Sequence, residues 1–415
     1  MVFLLDFNVL WHNIERIGNA AQKMGLDFYD MEFILCTPEE MSFIGAYGMP
    51  RRFCHWTLGK EFYRLYLRQR LGLIKIHELV MNSNPCTAFL LKGNSLLENK
   101  ISMAHAIAHS DFFKNNIFYS HDSKTVARFF AENQKLFSEF EERYGKQKVE
   151  KILEAALALR CIYFSQGLSK DEKSSQDAGE EDIYLYICRN SKVLEDWQKE
   201  IIYRLRHELE YFRTHACTKL INEGWAAFWH TKILRELDLS ADEAVEFALM
   251  NAKALSHQDG ECNLYLLGRE IFADLEKSMG TKKIFEIRSR ENDLGFIEKY
   301  LSHNLIKRLG LFFYSKKKGG FKEIIHEPAA VKMHLVKRIK NCWYPHIVIV
   351  QGKGDKSGLY LHHHYDGYQL NSFYVKKTLE RIFMLWGETV SIETFWKRRP
   401  VVFAYNGKEH ILADP

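Results

Sequence analysis

Proline is scarce in this chain, with seven in 415 residues, and so thin a scattering favours long helices over proline-broken loops. No run of about 18 apolar residues without charge exists, so no transmembrane helix and no membrane insertion are expected. A surplus of one charge is also missing. Lys and Arg total 58 against 53 Asp and Glu, a net charge of +5, which is too small to make nucleic acid the main partner. The eight cysteines, Cys36, Cys54, Cys86, Cys161, Cys188, Cys217, Cys262 and Cys342, include no CxxC pair, which excludes a zinc ribbon and a thioredoxin-type site. The opening MVFLLDFNVLWHNIERIG carries Asp6 early and lacks a basic n-region and a small-residue cleavage site. It reads as an amphipathic helix and not as a signal peptide. Without an export signal, the cysteines are expected to be reduced core thiols and the compartment to be the cytoplasm.

What is present is a globular composition: 47% hydrophobic and 27% charged residues, enough apolar surface to offset ordering entropy. At about 150 residues per domain, the length suggests two or three domains. Residues 1–50 open as helix and end in the turn-like GAYGMP. Residues 59–80 read as helix from the spacing of Phe62, Leu65, Tyr66, Leu73 and Ile76, stopped by Asn82-Ser83-Asn84-Pro85. Helices are predicted again over 95–115 and, broken at Gly145, over 123–164. The stretch 166–182, QGLSKDEKSSQDAGEED, is polar and aperiodic and predicts a mobile surface loop. Leu194, Trp197, Ile201, Leu205, Leu209 and Phe212 repeat at helical steps, and 220–237 form a helix whose middle, GWAAFW, is buried on most sides.

Near residue 310 the pattern turns to short strands. They are predicted at 311–314, 323–325, 346–350, 359–364 and 389–394, with helices starting at Pro328 and over 371–386, and an Asn406-Gly407 hairpin closes the chain. No internal repeat is visible. The expected fold is a mainly α-helical N-terminal domain, residues 1–305, with a smaller α+β C-terminal domain, residues 306–415.

The candidate chemistry begins with His105 and His109 in ISMAHAIAHSDFF. Four residues apart on a helix, two imidazoles point the same way, as when one helix offers two ligands to one metal. The histidine content gives roughly 0.8 such pairs by chance, so spacing alone favours a pair of hydrogen-bonded core histidines. The second stretch is INEGWAAFWH, with Glu223 and His230. A carboxylate in an otherwise apolar helix is costly unless paired, hydrogen-bonded or bound to a metal. His230 lies two turns on, with its Cα roughly 10 Å from that of Glu223. Glu223 is therefore read as the ligand, and His230 as a residue behind the ligands or against substrate. Two His and one Glu leave an open position for water and admit zinc, manganese or iron(II). No nucleotide cofactor is expected: GKGDKSG lacks the Walker spacing and a following helix.

The stretches IGAYGMPRRFCHWTLGKEF, ELVMNSNPCTAFLLKGN, MAHAIAHSDFFKNN, TKLINEGWAAFWH, FEIRSRENDLGFIEKYL and LERIFMLWGETVSIET resemble the SpoVR family, the stage V sporulation protein R-like proteins, along nearly the whole chain. The resemblance implies a role in forming the spore cortex. It also implies a functional link to a serine protein kinase and a von Willebrand A-like protein. The family pattern HWxxGK falls on His55, Trp56, Gly59 and Lys60. The pattern of an acid before NSNP falls on Glu78, Asn82, Asn84 and Pro85. HxxxHxDFFKNN falls on His105, His109 and Asp111 to Asn116, and NEGWAxFWH on Asn222 to His230. The chain departs from the pattern at Thr214-His215 and at Asn263-Leu264-Tyr265.

Asn222-Glu223-Gly224 also resembles the third-ligand helix of gluzincin metallopeptidases, but Ala106 stands where their HExxH has its general base. Glu78, Glu208 or His230 are the candidates to substitute. His207 to Tyr211 is not HExxH, because Tyr211 takes the place of the second His.

His55 and Lys60 are candidates to line the same cleft, with Asp111, Asn222 and His230 behind the ligands. Asn115 and Asn116 read as hydrogen-bonding residues at a helix end. The basic turn Lys316 to Lys318 reads as a solvated hairpin tip, and His362-His363-His364 as an exposed strand. Two functions follow. One is a metal-dependent hydrolase acting on a cell-wall or peptide-like bond. The other is a non-enzymatic regulatory or scaffold protein of a sporulation or stress signalling module.

Overall fold

The computed structural model of the protein describes residues 7–119, 125–165, 182–254, 263–316, 322–352 and 357–415. Helices dominate these residues, and the strands form small sheets of three, five and two strands. The C-terminal region is α+β. By contacts, the chain forms two compact units, each built from separated stretches: Met1–Ala131 with Thr218–Val336, and Glu132–Cys217 with Lys337–Pro415. This spatial division is of a different kind from the sequential change of composition near residue 305. The expected loop at 166–182 lies, apart from Asp182, outside the described residues. None of the helices among the described residues is long and apolar enough to cross a membrane.

The first unit is organised by three helices, Leu96–Asn115, Lys219–Glu236 and Leu264–Met279. Ser95 starts the first of them with a capping box, its hydroxyl accepting from the Glu98 backbone while Glu98 reaches back to Ser95. Trp225 and Trp229 of the second are fully buried and meet the rings of Phe272 and Phe285 edge-on or tilted. The last two helices approach backbone to backbone at Gly224 and Gly268. A Cβ on Gly268 would lie 2.6 Å from the Gly224 Cα and 2.6 Å from the Leu220 carbonyl oxygen.

The same unit holds a three-stranded sheet that the sequence pattern did not announce. Met31–Cys36 pairs parallel with Cys86–Leu91, which pairs antiparallel with Glu78–Met81. The helix predicted over 59–80 in fact ends at Arg70, and its last part is the Glu78–Met81 strand. All six residues of the central strand, CTAFLL, are buried, and a continuous apolar run carries no period by which strand and buried helix differ.

The second unit packs helices Lys146–Ala158, Asp196–Cys217 and Ser372–Trp386 with a five-stranded sheet. Its order runs from His410–Ala413 through Arg399–Tyr405, Val390–Trp396 and Leu359–His363 to Ile347–Ile349. Cys217 and Cys342, expected as reduced thiols, are instead joined in a disulfide. Cys54 and Cys161 are exposed and not in the core. A cysteine pair 125 residues apart carries no spacing signal, so only the fold reveals it.

Glu210 of this unit accepts from the Tyr163 hydroxyl at 2.7 Å and pairs with Arg213 at 2.8 Å and Arg206 at 3.6 Å. Burial alone would raise its carboxyl, but the two guanidiniums and the phenol outweigh burial and hold it below the ordinary range.

Two predictions follow from this packing. Gly268→Ala should destabilise the protein by about 3 kcal/mol in urea unfolding. Gly18→Ala, which meets nothing within 4 Å, should leave stability equal or raise it by about 0.5 kcal/mol. Glu210→Gln should cost about 2 kcal/mol at pH 7. A carboxyl depressed in the fold contributes stability that is full above its unfolded value and lost as pH falls through the folded one. The gap between wild type and Glu210→Gln should therefore close as pH drops below about 4 in a pH series of melting curves.

Candidate metal centre

The helix Leu96–Asn115 is buried without break from Ser102 to Phe113, so both imidazoles of its HxxxH lie inside the unit. His105 and His109 are 6% and 8% exposed, and their rings stand 4.6 Å apart at 85°. Glu223 enters from the helix Lys219–Glu236. The first turn of that helix has no side-chain cap from its own Thr218. The buried Asp293 carboxylate instead accepts the Leu220 and Ile221 N–H groups, at 2.9 Å each. Burial pushes Asp293 up to about 7 against the pull of those two donors.

Glu223 Oε2 lies 3.6 Å from His105 Nε2 and 3.6 Å from His109 Nε2, and one ligand atom from each residue falls within 4.8 Å of the others. Two donor atoms sharing an ion at about 2.1 Å each in tetrahedral geometry stand roughly 3.4 Å apart, so the three side chains fit a single ion of that kind. The far nitrogens are committed as well. His109 Nδ1 meets Asn222 Oδ1 at 2.9 Å, which requires Nδ1–H and leaves the Nε2 lone pair facing Glu223. His105 Nδ1 meets His230 Nδ1 at 3.0 Å, and His230 Nε2 meets Asn251 Oδ1 at 3.4 Å. Burial first, then the neighbouring His105 charge, pushes His230 down to about 3. A neutral His230 donates from Nε2 to Asn251 and accepts at Nδ1, so the proton between the two rings sits on His105 Nδ1 and leaves the His105 Nε2 lone pair free as well.

Burial alone would lower His105, yet Glu223 and the charge of Glu78 raise it; His109 is lowered by burial and by His105. The phenol of Tyr265 is raised, first by the Glu223 charge and then by burial.

The candidates named from the sequence fall into two groups. His105, His109, Glu223, Asn222 and His230 come together. Glu78 joins them on the wall of a cavity of about 1510 Å³, also lined by Ser102, His105, His230 and Tyr265, and accepts a hydrogen bond from the Ser102 hydroxyl. The others serve elsewhere. His55 caps the helix Trp56–Arg70, its Nδ1 accepting from Thr57 N–H, and Lys60 of that helix is exposed. Glu208 belongs to the second unit, where it is fully buried and accepts from Asn133. Asp111 accepts from Trp225 Nε1 and the Asp27 N–H. Asn116 donates to the carbonyls of Arg288 and Glu291. Tyr265, Asn251 and Ser102 were missed from the sequence, because nothing in their own stretches marks them as polar partners of a distant helix.

These features define a mainly helical protein with two buried histidines and a half-buried carboxylate grouped at a large cavity. The family model described as SpoVR like protein matches residues 5–178 and 164–343, so the chain belongs to the SpoVR-like family. It is 31% identical over 280 residues to the uncharacterized protein YcgB of Escherichia coli (strain K12), a match covering 56% of this chain and 54% of YcgB. The chain thus spans about half the length of that curated relative. No solved structure matches.

Asp293→Ala leaves two backbone donors of the Glu223 helix without acceptors and should cost about 2 kcal/mol. Asp293→Asn, which keeps an acceptor, should cost less than half as much. Melting temperatures of the two variants against wild type check this order.

Proposed function

We propose that the protein is a metal-dependent hydrolase in which His105, His109 and Glu223 hold one divalent ion, zinc, manganese or iron. The observation that carries this reading is the pair of 3.6 Å separations from Glu223 Oε2 to the two Nε2 atoms. When bound, the ion would supply Lewis acidity and lower the pKa of water. Asn222 and His230 hold the imidazoles in the tautomers that ligation needs. Ala106 provides no base. Glu78 is our candidate for the base, supported by its place on the cavity wall and its hydrogen bond from Ser102. His230 is less suited, since its Nδ1 is already committed to His105.

The substrate class is a cell-wall or peptide-like amide or ester. The family membership supports a role in spore cortex formation alongside a serine protein kinase and a von Willebrand A-like protein, with no nucleotide cofactor and no nucleic-acid partner. Cytoplasmic placement belongs to the same proposal. The Cys217–Cys342 disulfide stands against it, since such bonds persist in oxidising surroundings.

A second reading, a regulatory or scaffold protein with a metal-stabilised core, draws on one observation: the cavity is lined by His105 but not by His109 or Glu223.

Elemental analysis of purified wild type, His105→Ala and Glu223→Ala tests the ligand set. Wild type should carry about one ion per chain, both alanine variants should carry little, and Asn222→Ala should bind about tenfold more weakly. Unchanged metal content in His105→Ala and Glu223→Ala would reject the site. Glu78→Gln should keep the metal and lose hydrolysis of peptide amides; equal turnover in Glu78→Gln and wild type would overturn the role of Glu78, and metal-loaded wild type without turnover would favour the scaffold reading.

A further inference from the structure

The three-stranded sheet of the first unit ends on a strand that borders the cavity. Glu78–Met81 pairs antiparallel with Cys86–Leu91, and among the described residues no strand lies on its other side. The central strand is buried at all six positions, whereas the four residues of Glu78–Met81 are half-buried. The register shows which backbone groups this edge offers. The Leu91 N–H donates to the His77 carbonyl at 3.1 Å, so His77 and Leu91 are a hydrogen-bonded pair. Such pairs alternate along an antiparallel ladder. Leu79 opposite Phe89 and Met81 opposite Thr87 are therefore bonded pairs, while Glu78 opposite Leu90 and Val80 opposite Ala88 turn their N–H and C=O groups outward. Among the described residues, nothing donates to or accepts from those four outward groups.

Two residues of strand span about 6.7 Å, which is the repeat at which a second extended chain presents its own N–H and C=O groups. Asn82, two residues beyond Val80, adds an independent sign. It is 5% exposed, and its Oδ1 is buried with no hydrogen-bond partner among the described residues. Leaving such an acceptor unmade is costly, and a ligand N–H would satisfy it. The edge also lies at the candidate centre. Leu73, Ile74, Lys75, His77 and Glu78 line the cavity together with His105, and Ser102, which donates to Glu78, is one helical turn from His105. Of the lining residues none belongs to the other edge strand, Met31–Cys36. The cavity, about 1510 Å³, exceeds the roughly 300–1,000 Å³ typical of small-molecule pockets.

We propose that the substrate is a peptide bound in extended conformation as a fourth strand along Glu78–Met81, its main-chain N–H and C=O groups pairing with those of Glu78 and Val80. The word substrate rests on the hydrolase reading; the strand pairing narrows that reading from amides and esters in general to a peptide of at least three consecutive residues. A glycan chain or a single amino-acid ester does not carry the repeat that the edge matches. Because the pairing is main chain to main chain, it holds the peptide without fixing its side chains. A chain held there runs beside Glu78, and so beside the wall that carries His105.

The probe is a fluorescein-labelled pool of octapeptides of mixed sequence, read by fluorescence anisotropy against the whole chain stripped of metal with EDTA. Wild type should bind the pool, and the same pool methylated at every backbone amide should bind about tenfold more weakly or worse. Val80→Pro removes an outward N–H that the sheet does not use, so it should fold, as proline does on edge strands, and should also bind the pool about tenfold more weakly. Leu79→Pro, which removes a bond to Phe89, should lower the melting temperature far more than Val80→Pro does. No binding by wild type, equal binding of the methylated pool, or undiminished binding to folded Val80→Pro would overturn the proposal. If Val80→Pro does not fold, the two pools on wild type decide. The hydrolase reading fails by a different result: pool binding that persists without any cleavage once zinc is restored removes the hydrolysis and leaves the peptide on its edge.

Discussion

A carboxylate with no exposure, Asp111, fixes the helix pair that carries the candidate ligands. It accepts the indole N–H of Trp225 at 2.8 Å and the Asp27 N–H at 2.8 Å, and Arg288 Nε stands 3.4 Å away. Burial is expensive for this acid, and its pKa is pushed up to about 6 in spite of Arg288 and its two donors. The cost brings register. Asp111 lies two residues past His109, and Trp225 two residues past Glu223, and two residues are about 200° around a helix. Each helix therefore shows its candidate ligand to one side and its strut to the other. The Asp111–Trp225 bond and the His109–Asn222 bond at 2.9 Å tie the helices at both flanks of their contact.

The small residues serve the same end. Ala104, Ala106 and Ala108 alternate with the histidine face and are fully buried, so neighbouring elements come close to that helix. Gly224, next to Glu223 in sequence, meets Gly268 backbone to backbone. No side chain could stand between them, and the rotation of the Glu223 helix is thereby fixed from its far side. Glycine after the acid, which in the sequence looks like a weak spot in a helix, is the residue that sets where the acid points.

How much of this was legible in the sequence depends on the range of the signal. The helix of His105 and His109, the helix of Glu223 and the α+β character after residue 310 were readable because periodicity, caps and turn residues are local. The strands Met31–Cys36 and Cys86–Leu91 were not, because a parallel pairing joined through intervening helices leaves no local mark. Pairings across the fold were equally hidden. Asp293 capping a helix 73 residues away, Tyr265 facing Glu223, and the Cys217–Cys342 bond all rest on contacts with no sequence spacing to detect. Glu208 shows the converse error. A carboxylate in an apolar stretch marks a buried acid but does not say which interior it is buried in.

The charge balance inside the first unit explains why so polar a group can sit in a packed interior before any ion arrives. Glu223 would pay heavily for its charge if left alone. Two imidazole nitrogens at 3.6 Å face it, and their pull outweighs burial and holds its carboxyl below the ordinary range. A divalent cation between the three side chains would add a positive partner and leave the surrounding hydrogen bonds to Asn222 and His230 intact. The neutral His230 matters here. A charged ring at that position would face the His105 N–H with a second N–H, so burial that keeps His230 uncharged also keeps the His105 lone pair aimed inward. Any preorganisation for an ion would lie in the tautomers, and these are set by Asn222 and His230, outside the candidate ligand set.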